Sequence, residues 1–161
     1  REIKEDSRFT IKDLTVYPMH ISHDAAQPVA YKFGFGDKRI AICTDIGVFN
    51  EYTIECLKGM DALLLEANHD VNMLQVGPYP YYLKQRILGD RGHLSNDACS
   101  KFIPHLAENG AERIILAHLS KDNNTPQKAF EASQEALKNA TAAPSPTGIV
   151  RSSISRPGSA G

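Results

Sequence analysis

Short apolar runs that each close on a histidine or an aspartate limit the folds open to this chain more than any other feature. His23, Asp45 and His118 each stand just past such a run. In α/β sheets, polar side chains of this kind gather at the carboxyl ends of the strands. Each residue alone could be structural, since a histidine often packs beside a strand and an aspartate often caps a turn. Together, two imidazoles and a carboxylate form a ligand set that suits zinc or a similar divalent ion.

The order of the apolar segments predicts an α/β layered domain in which strands come first and a β-α-β alternation follows. We expect strands at 15–21, 29–35, 39–43, 62–65 and 113–117, with a hairpin turn at Gly36-Asp37.

Helix signals separate the later strands. We expect helices at 50–58 and 81–88, a third from Ser95 and a fourth from Thr125-Pro126. Pro104 is predicted to kink or end the third helix. Residues 66–80 are predicted to be a loop, and the charged residues 1–6 are predicted to finish an element that begins upstream.

Composition excludes several classes of protein. With 161 residues, 42% of them apolar and 23% charged, the chain is typical of one soluble globular domain. A net charge of −1 means that any basic, nucleic-acid-binding surface must be local. No apolar run approaches the roughly 20 residues of a membrane helix, so we expect no membrane partner. Three cysteines without CxxC spacing indicate free thiols in a reducing compartment, which predicts the cytoplasm.

The two ends of the sequence differ from the rest. The sequence starts at Arg1 and its first methionine is Met19, so we expect the natural N-terminus to lie further upstream. After Asn139 the composition collapses into alanine, serine, proline, glycine and threonine, which leaves too little apolar surface to offset the ordering entropy. We therefore predict one domain at 1–139 and a disordered tail at 140–161.

Several long motifs carry a resemblance to a known family. They are SHDAAQPVAY (22–31), TDIG (44–47), LLEANHD (64–70), GPYP (77–80), KQRILGDRGHLSN (84–96) and LAHLSKDNNTP (116–126). Through them the chain resembles the second half of a metallo-β-lactamase-fold hydrolase, most closely the WalJ/YycJ branch, over roughly residues 9–139. Relatives of that branch include ribonuclease J and the transfer-RNA-processing ribonuclease Z. The fold implied is the second half of a metallo-β-lactamase-type αββα sandwich.

The resemblance implies a two-metal site. In that superfamily a His-x-His-x-Asp-His motif precedes a further His, an Asp and a final His, which correspond by context to His23, Asp45 and His118. Asp45 would bridge two divalent ions, zinc or manganese, which activate a water and polarise a phosphoryl oxygen. The His-x-His-x-Asp-His motif is not in this sequence. We expect it upstream of Arg1 or on another chain, a second copy in a homo-oligomer included.

The same resemblance points to residues beyond the ligands. His93 lies in a motif that faces the scissile phosphate in the nuclease branches, which implies that it stabilises the charged oxygen or protonates the leaving group. Glu66 and His69 lie where the transfer-RNA-processing branch carries a Glu-containing loop, which implies a hydrogen bond that orients His93. The alternatives are that His93 helps to cap the helix at Ser95 and that Glu66 caps local backbone.

Residues 79–91 interleave aromatic and basic side chains. These are Tyr79, Tyr81, Tyr82, Lys84, Arg86 and Arg91. Such a surface can stack bases and neutralise phosphates, but tyrosines that pack over the core beside solvated cations would give the same sequence. We assign His93 and Glu66 to catalysis, and His69 and Arg86 to substrate binding.

The resemblance thus predicts a metal-dependent hydrolase: a two-metal phosphodiesterase that degrades single-stranded DNA as an exonuclease. One alternative is a catalytically incomplete fragment or binding module that keeps the second half of the fold. A further alternative is an acyl or thioester hydrolase, because one fold hosts several chemistries.

Overall fold

The computed structural model describes residues 3–141, which form an α/β domain. The strands are β1 (Phe9–Ile11), β2 (Leu14–His20), β3 (Val29–Phe35), β4 (Lys38–Cys43), β5 (Ala62–Glu66) and β6 (Arg113–Ala117). The helices are α1 (Glu51–Leu57), α2 (Val71–Val76), α3 (Tyr81–Leu88), α4 (Asn96–Ser100), α5 (Ile103–Glu108) and α6 (Pro126–Thr141).

The six strands form one sheet in the order of the chain, β1-β2-β3-β4-β5-β6. Strands β1 to β4 are antiparallel neighbours, whereas β4, β5 and β6 run parallel to one another. Strand β2 therefore has the same direction as β4, β5 and β6. The loops after these four strands therefore all lie at the same end of the sheet, at the carboxyl ends of these strands.

One face of the sheet carries the core. Alternate residues of the central strands, among them Met19, Ala41, Leu63 and Leu65, are buried against side chains of α1, α4, α5 and α6. Burial of each large apolar side chain contributes roughly 1.5–3 kcal/mol to folding.

The opposite face of the sheet is apolar but open. Tyr31 pairs with Ile42 and Phe33 pairs with Ile40 across β3 and β4, so these side chains point to the same side. Ile40 is 44% exposed and Phe35 is 61% exposed. Single exposed apolar residues are ordinary, but a contiguous row on a sheet face is typical of an interaction surface.

The sequence predictions hold for the long elements and fail for two short ones. A loop was expected at 66–80, but α2 lies there, because the Asp70 side chain accepts a hydrogen bond from the Met73 amide and caps a single short helix. Strand β1 has only three residues and was not predicted. Within residues 3–8 the structure has a turn and no strand or helix, so the expected end of an upstream element is not found there.

The helix predicted from Ser95 is interrupted ahead of Pro104, so the structure has two short helices in place of one kinked or shortened helix. Helix α4 stops at Ser100, and Pro104 lies in the first turn of α5, where its missing amide is tolerated. Helix α6 runs to Thr141, two residues past the predicted boundary, and the rest of the predicted tail, 142–161, lies outside the described residues.

The cysteines are free thiols, as expected. Cys43 and Cys99 are buried and Cys56 is half-buried. Burial raises the pKa of the Cys99 thiol to about 12, so this thiol stays protonated. Over residues 3–141, the helices are all too short or too polar to cross a membrane.

Candidate metal and catalytic site

Four strand ends supply the site. His23 lies in the loop after β2, Asp45 follows β4, Glu66 is the last residue of β5, and His118 follows β6. Asp45 and His118 have left-handed backbone, with φ of 57° and 56°. Non-glycine residues rarely adopt this conformation, and where they do it is often at functional sites.

The three predicted ligands converge. An oxygen of Asp45, Oδ1, lies 4.0 Å from Nε2 of His23 and 3.6 Å from Nε2 of His118. The aspartate thus stands between the two imidazoles, as a bridging carboxylate would. These residues are 22 and 73 positions apart in sequence (45 − 23 and 118 − 45), and only the sheet brings them together.

Glu66 organises two of the site histidines. It is fully buried, and its Oε1 lies 2.7 Å from Nδ1 of His93 and 2.8 Å from Nδ1 of His118. Its other oxygen, Oε2, accepts the Ile46 amide at 2.7 Å. An ionised carboxylate can only accept, so both imidazoles must carry their proton on Nδ1. Their Nε2 atoms are left free to bind a ligand.

The backbone carbonyl of Gly92 orients the third histidine of the site, His23. The Nδ1 atom of His23 lies 3.0 Å from the Gly92 carbonyl oxygen. A carbonyl accepts, so this nitrogen donates and Nε2 keeps its lone pair on the side of Asp45. A backbone carbonyl or a carboxylate behind a ligating histidine is the usual arrangement in metal sites, because it fixes both the tautomer and the ring orientation.

The charges in the site support this assignment. Burial opposes ionisation of Glu66, but the hydrogen bonds from His118, His93 and the Ile46 amide outweigh it and hold the pKa of Glu66 below its ordinary value. The hydrogen bond to Glu66 is also the main reason why the pKa of His118 is raised, and burial opposes it. Glu66 is therefore an anion at neutral pH.

The residues present fit a divalent metal. His23, Asp45 and His93 can bring one ligand atom each within 4.8 Å of one another, as can Glu66, His93 and His118. Both Glu66 oxygens already accept hydrogen bonds from protein, so we interpret Glu66 as an anchor rather than a ligand. Imidazole nitrogens and carboxylate oxygens are donors that suit zinc and manganese. The second nitrogen of each imidazole is held by a hydrogen bond to protein. An incomplete shell leaves positions for further ligands, water or substrate.

A pocket of about 440 Å³ opens over these residues. His23, His93 and His118 line it, together with an apolar wall of Leu83, Ile87 and Leu119. Arg86 and Lys121 bring positive charge to it. The volume lies within the range of roughly 300–1,000 Å³ typical of small-ligand sites.

Two polar links tie α3 and the turn before it to neighbouring loops. The Arg86 guanidinium donates through Nε and Nη2 to the Asp24 carboxylate, with 3.1 Å between Nη2 and Oδ1. This hydrogen bond to Arg86 lowers the pKa of Asp24 to about 2. At the other end, the Tyr79 hydroxyl donates to Asp122 at 2.9 Å.

The structure does not bring His69 to the pocket. Its side chain is buried, 1% exposed, and neither ring nitrogen has a hydrogen-bond partner within residues 3–141. Burial is the main reason why the pKa of His69 falls to about 4, so it is neutral at pH 7. His69 is buried and does not line the pocket, so the structure gives no support to the substrate-binding role expected of it. Arg86, by contrast, lies on the pocket wall.

Sequence reasoning missed several contributors. Asn68 lines the pocket and donates a hydrogen bond from its side-chain amide to the His118 carbonyl at 2.9 Å, which holds the left-handed backbone of His118 in place. Asp24 and Gly92 were not singled out either, although both lie inside motifs that carried the resemblance. The adjacency of Asp24 to His23 was the available signal, but its partner Arg86 is 62 positions away.

Comparison with known proteins places this geometry in a family. The family model described as "Beta-lactamase superfamily domain" matches residues 1–119. The chain belongs to the beta-lactamase superfamily. The expected family is therefore confirmed.

Curated relatives within the beta-lactamase superfamily are similar over most of this chain. Exodeoxyribonuclease YycJ of Bacillus anthracis is 36% identical over 129 residues, which are 80% of this chain and 49% of the relative. Exodeoxyribonuclease WalJ of Streptococcus pneumoniae is 39% identical over 120 residues, 74% of this chain and 45% of the relative. The chain thus spans about half the length of the curated relatives that it matches.

Solved structures confirm the fold of this superfamily member. The metallo-β-lactamase fold protein YhfI of Bacillus subtilis covers 95% of this chain with a TM-score of 0.64 and 17% identity. Zn²⁺-bound PqqB of Methylobacterium extorquens covers 86% with a TM-score of 0.56 and 17% identity. The chain corresponds to 52% and 50% of these two proteins. The expectation of a metallo-β-lactamase-type α/β fold is confirmed.

Proposed function

We propose that this chain carries the second half of the active site of a metal-dependent nuclease. The observation that carries the proposal is the meeting of His23, Asp45 and His118 from three strand ends, with His93 held beside them by the carboxylate that also anchors His118. Nuclease chemistry is favoured because curated relatives bear the name exodeoxyribonuclease.

His23, Asp45 and His118 are the metal ligands in this proposal, with Asp45 between two ions, zinc or manganese. Such ions would supply the positive charge that activates a water and polarises a phosphoryl oxygen. The superfamily's His-x-His-x-Asp-His motif, which is not in this sequence, would complete the shell.

His93 is the proposed proton donor. In phosphodiester hydrolysis a water oxygen bonds to phosphorus, the bond to the bridging sugar oxygen breaks, and that oxygen takes up a proton. Nδ1 of His93 donates to Glu66, so only Nε2 can hold the proton that the leaving oxygen receives. Glu66 supports this role because it fixes the orientation of the ring and holds the proton on Nδ1, which leaves Nε2 to face the substrate.

Arg86 and Lys121 are proposed to bind phosphates of a single-stranded DNA. A guanidinium and an ammonium on the same wall suit a phosphodiester backbone, and Tyr79 beside them offers an aromatic ring. The adjacent apolar wall suits the faces of nucleobases.

The experiment that tests this function compares wild type with His93→Ala in the full-length protein loaded with manganese. We expect wild type to cleave an end-labelled single-stranded DNA. The variant should lose at least a hundredfold in rate, as removal of a general acid typically costs, and keep its metal content. His105→Ala, on α5 and outside the pocket lining, is the matched control. Turnover of a thioester without cleavage of DNA would overturn the nuclease proposal in favour of an acyl or thioester hydrolase.

A catalytically incomplete binding module is the second candidate. The six histidines of this sequence do not contain the His-x-His-x-Asp-His spacing, and that observation favours it. Elemental analysis of the 161-residue chain, purified without chelator, separates the two. Near two tightly held ions per chain would mean that the missing ligands are replaced, as in an oligomer. Near zero would mean that catalysis needs the motif from elsewhere.

A further inference from the structure

Two polar links to the two ends of α3 line the pocket over the site. The Asp24–Arg86 ion pair lies next to His23, at the last turn of α3. The Tyr79–Asp122 hydrogen bond joins the turn before α3 to the loop after β6.

The space between these links matches one nucleotide rather than a passing strand. Its volume is about 440 Å³. Leu83, Ile87 and Leu119 line it and offer an apolar surface for one base, and His93 and His118 line it as well. A strand that ran along α3 past its first turn would meet the segment where Tyr79 contacts Asp122.

The charged side chains around the pocket also suit the terminal nucleotide of a strand. Arg86 has two of its donor positions occupied by Asp24, which fixes its plane beside the metal ligands and leaves its remaining N–H groups for a phosphate. Lys121 forms no salt bridge with any other part of the described chain, and it lies next to the Tyr79–Asp122 link. Asp122, by contrast, presents a carboxylate at this link, which disfavours a further phosphate beyond it.

We propose that the Tyr79–Asp122 link is an end stop, which confines the pocket to the terminal nucleotide of a single-stranded DNA and makes cleavage exonucleolytic. This proposal rests on the proposed nuclease function and adds to it the device that selects chain ends. Without the stop, the same catalytic residues face an open groove that an internal segment of the strand can enter.

The test offers the full-length, manganese-loaded protein two substrates of one sequence: a linear single-stranded DNA and its covalently closed circle. Wild type degrades the linear strand to mononucleotides and leaves the circle intact. Tyr79→Ala and Asp122→Ala both cut the circle and release di- and trinucleotides from the linear strand. Tyr79→Phe, which keeps the ring and its packing and loses only the hydroxyl, gives the same products as Asp122→Ala.

Tyr81→Ala is the matched control, because Tyr81 is 77% exposed and does not line the pocket. It behaves as wild type. Circles cut by wild type, or unchanged products from Tyr79→Phe and Asp122→Ala, overturn the end stop while the nuclease function stands. Wild type that cleaves neither substrate overturns both proposals.

Discussion

At the scale of single residues, the centre of the site is one carboxylate that serves two imidazoles. Glu66 anchors a proposed metal ligand, His118, and a proposed proton donor, His93, through the same oxygen. The two histidines therefore share an orienting group, and a change at Glu66 affects metal binding and proton transfer together.

Replacing this carboxylate should weaken metal binding. In Glu66→Gln one of the two carboxylate oxygens becomes an NH2 group, so either the two imidazoles or the Ile46 amide meets a donor in place of an acceptor. We expect metal affinity to fall by about 10–100-fold, the usual effect of a lost outer partner, as measured by competition with a chromogenic chelator. Glu112→Gln, at an exposed position, is the control. Unchanged affinity in Glu66→Gln would contradict the anchoring role.

His69 gives a prediction about pH. Its folded-state pKa of about 4 lies below the ordinary value of 6.5, so the unfolded chain takes up the proton first. Its contribution to stability is complete above about pH 6.5 and is lost as the pH falls from there toward 4. Between pH 7.5 and 5.5 we expect the free energy of unfolding to fall by about 1 kcal/mol because of His69.

Urea denaturation of wild type and His69→Leu at both pH values measures this effect. The free energy of unfolding of wild type relative to that of His69→Leu should fall by that amount between pH 7.5 and pH 5.5, because only wild type carries the buried imidazole. A difference that is the same at both pH values would mean that His69 does not titrate in this range.

At the scale of elements, the loop after α3 packs so closely on the end of that helix that Gly92 has no room for a side chain. A Cβ atom on Gly92 would lie 2.2 Å from the carbonyl oxygens of Arg86 and Ile87. The carbonyl of Gly92 itself holds His23. Glycine at this position therefore lets the loop after α3 pack closely enough to orient His23, a proposed metal ligand.

Gly92→Ala should disturb both packing and metal binding. We expect the free energy of unfolding to fall by about 1–3 kcal/mol, the typical cost of overpacking, and metal affinity to fall with it. Gly34→Ala is the control, because a Cβ there would meet its nearest neighbour, Thr15, at 3.9 Å. Thermal unfolding with and without added zinc reports both effects. A variant as stable and as zinc-responsive as the control would rule out the close approach as a requirement.

Elements of the fold could be predicted where the sequence signal is local. The apolar runs predicted strands β2 to β6, and Ser95 and Pro126 marked the starts of helices. Helix α2 was missed because its signal is one capping aspartate, Asp70, in front of six residues.

The site was predictable only in part, because some of its contacts join residues that are far apart in the sequence. His23, Asp45 and His118 stand at strand ends that local patterns reveal. The pairing of Tyr79 with Asp122, 43 positions apart, depends on how two loops meet in space, and so does the burial of His69. No periodicity in the sequence encodes these distances.

At the scale of the whole molecule, the helices that pack on the core leave one face of the sheet uncovered within residues 3–141. This face carries an apolar row in which Phe35, Ile40 and Ile42 are exposed and Tyr31 and Phe33 are half-buried, and such rows drive association in water. An uncovered apolar face is what we expect of a chain that carries one half of a two-sheet sandwich, because the other half would pack against it.

The isolated 161-residue chain should therefore self-associate through that face. Sedimentation equilibrium over a hundredfold range of concentration should give a mass that rises above 17.7 kDa. Ile40→Lys, in the middle of the row, should shift the chain toward monomer. Val76→Lys, at an 87% exposed position on α2, should not. A monomer at all concentrations would contradict the association.

The sequential sheet order has a consequence for how such a protein is made. Each strand pairs with the strand that precedes it in the chain, so a sheet that emerges from the ribosome can grow one strand at a time. His118 follows β6, so the four residues of this part of the site come together only after β6 has been synthesised.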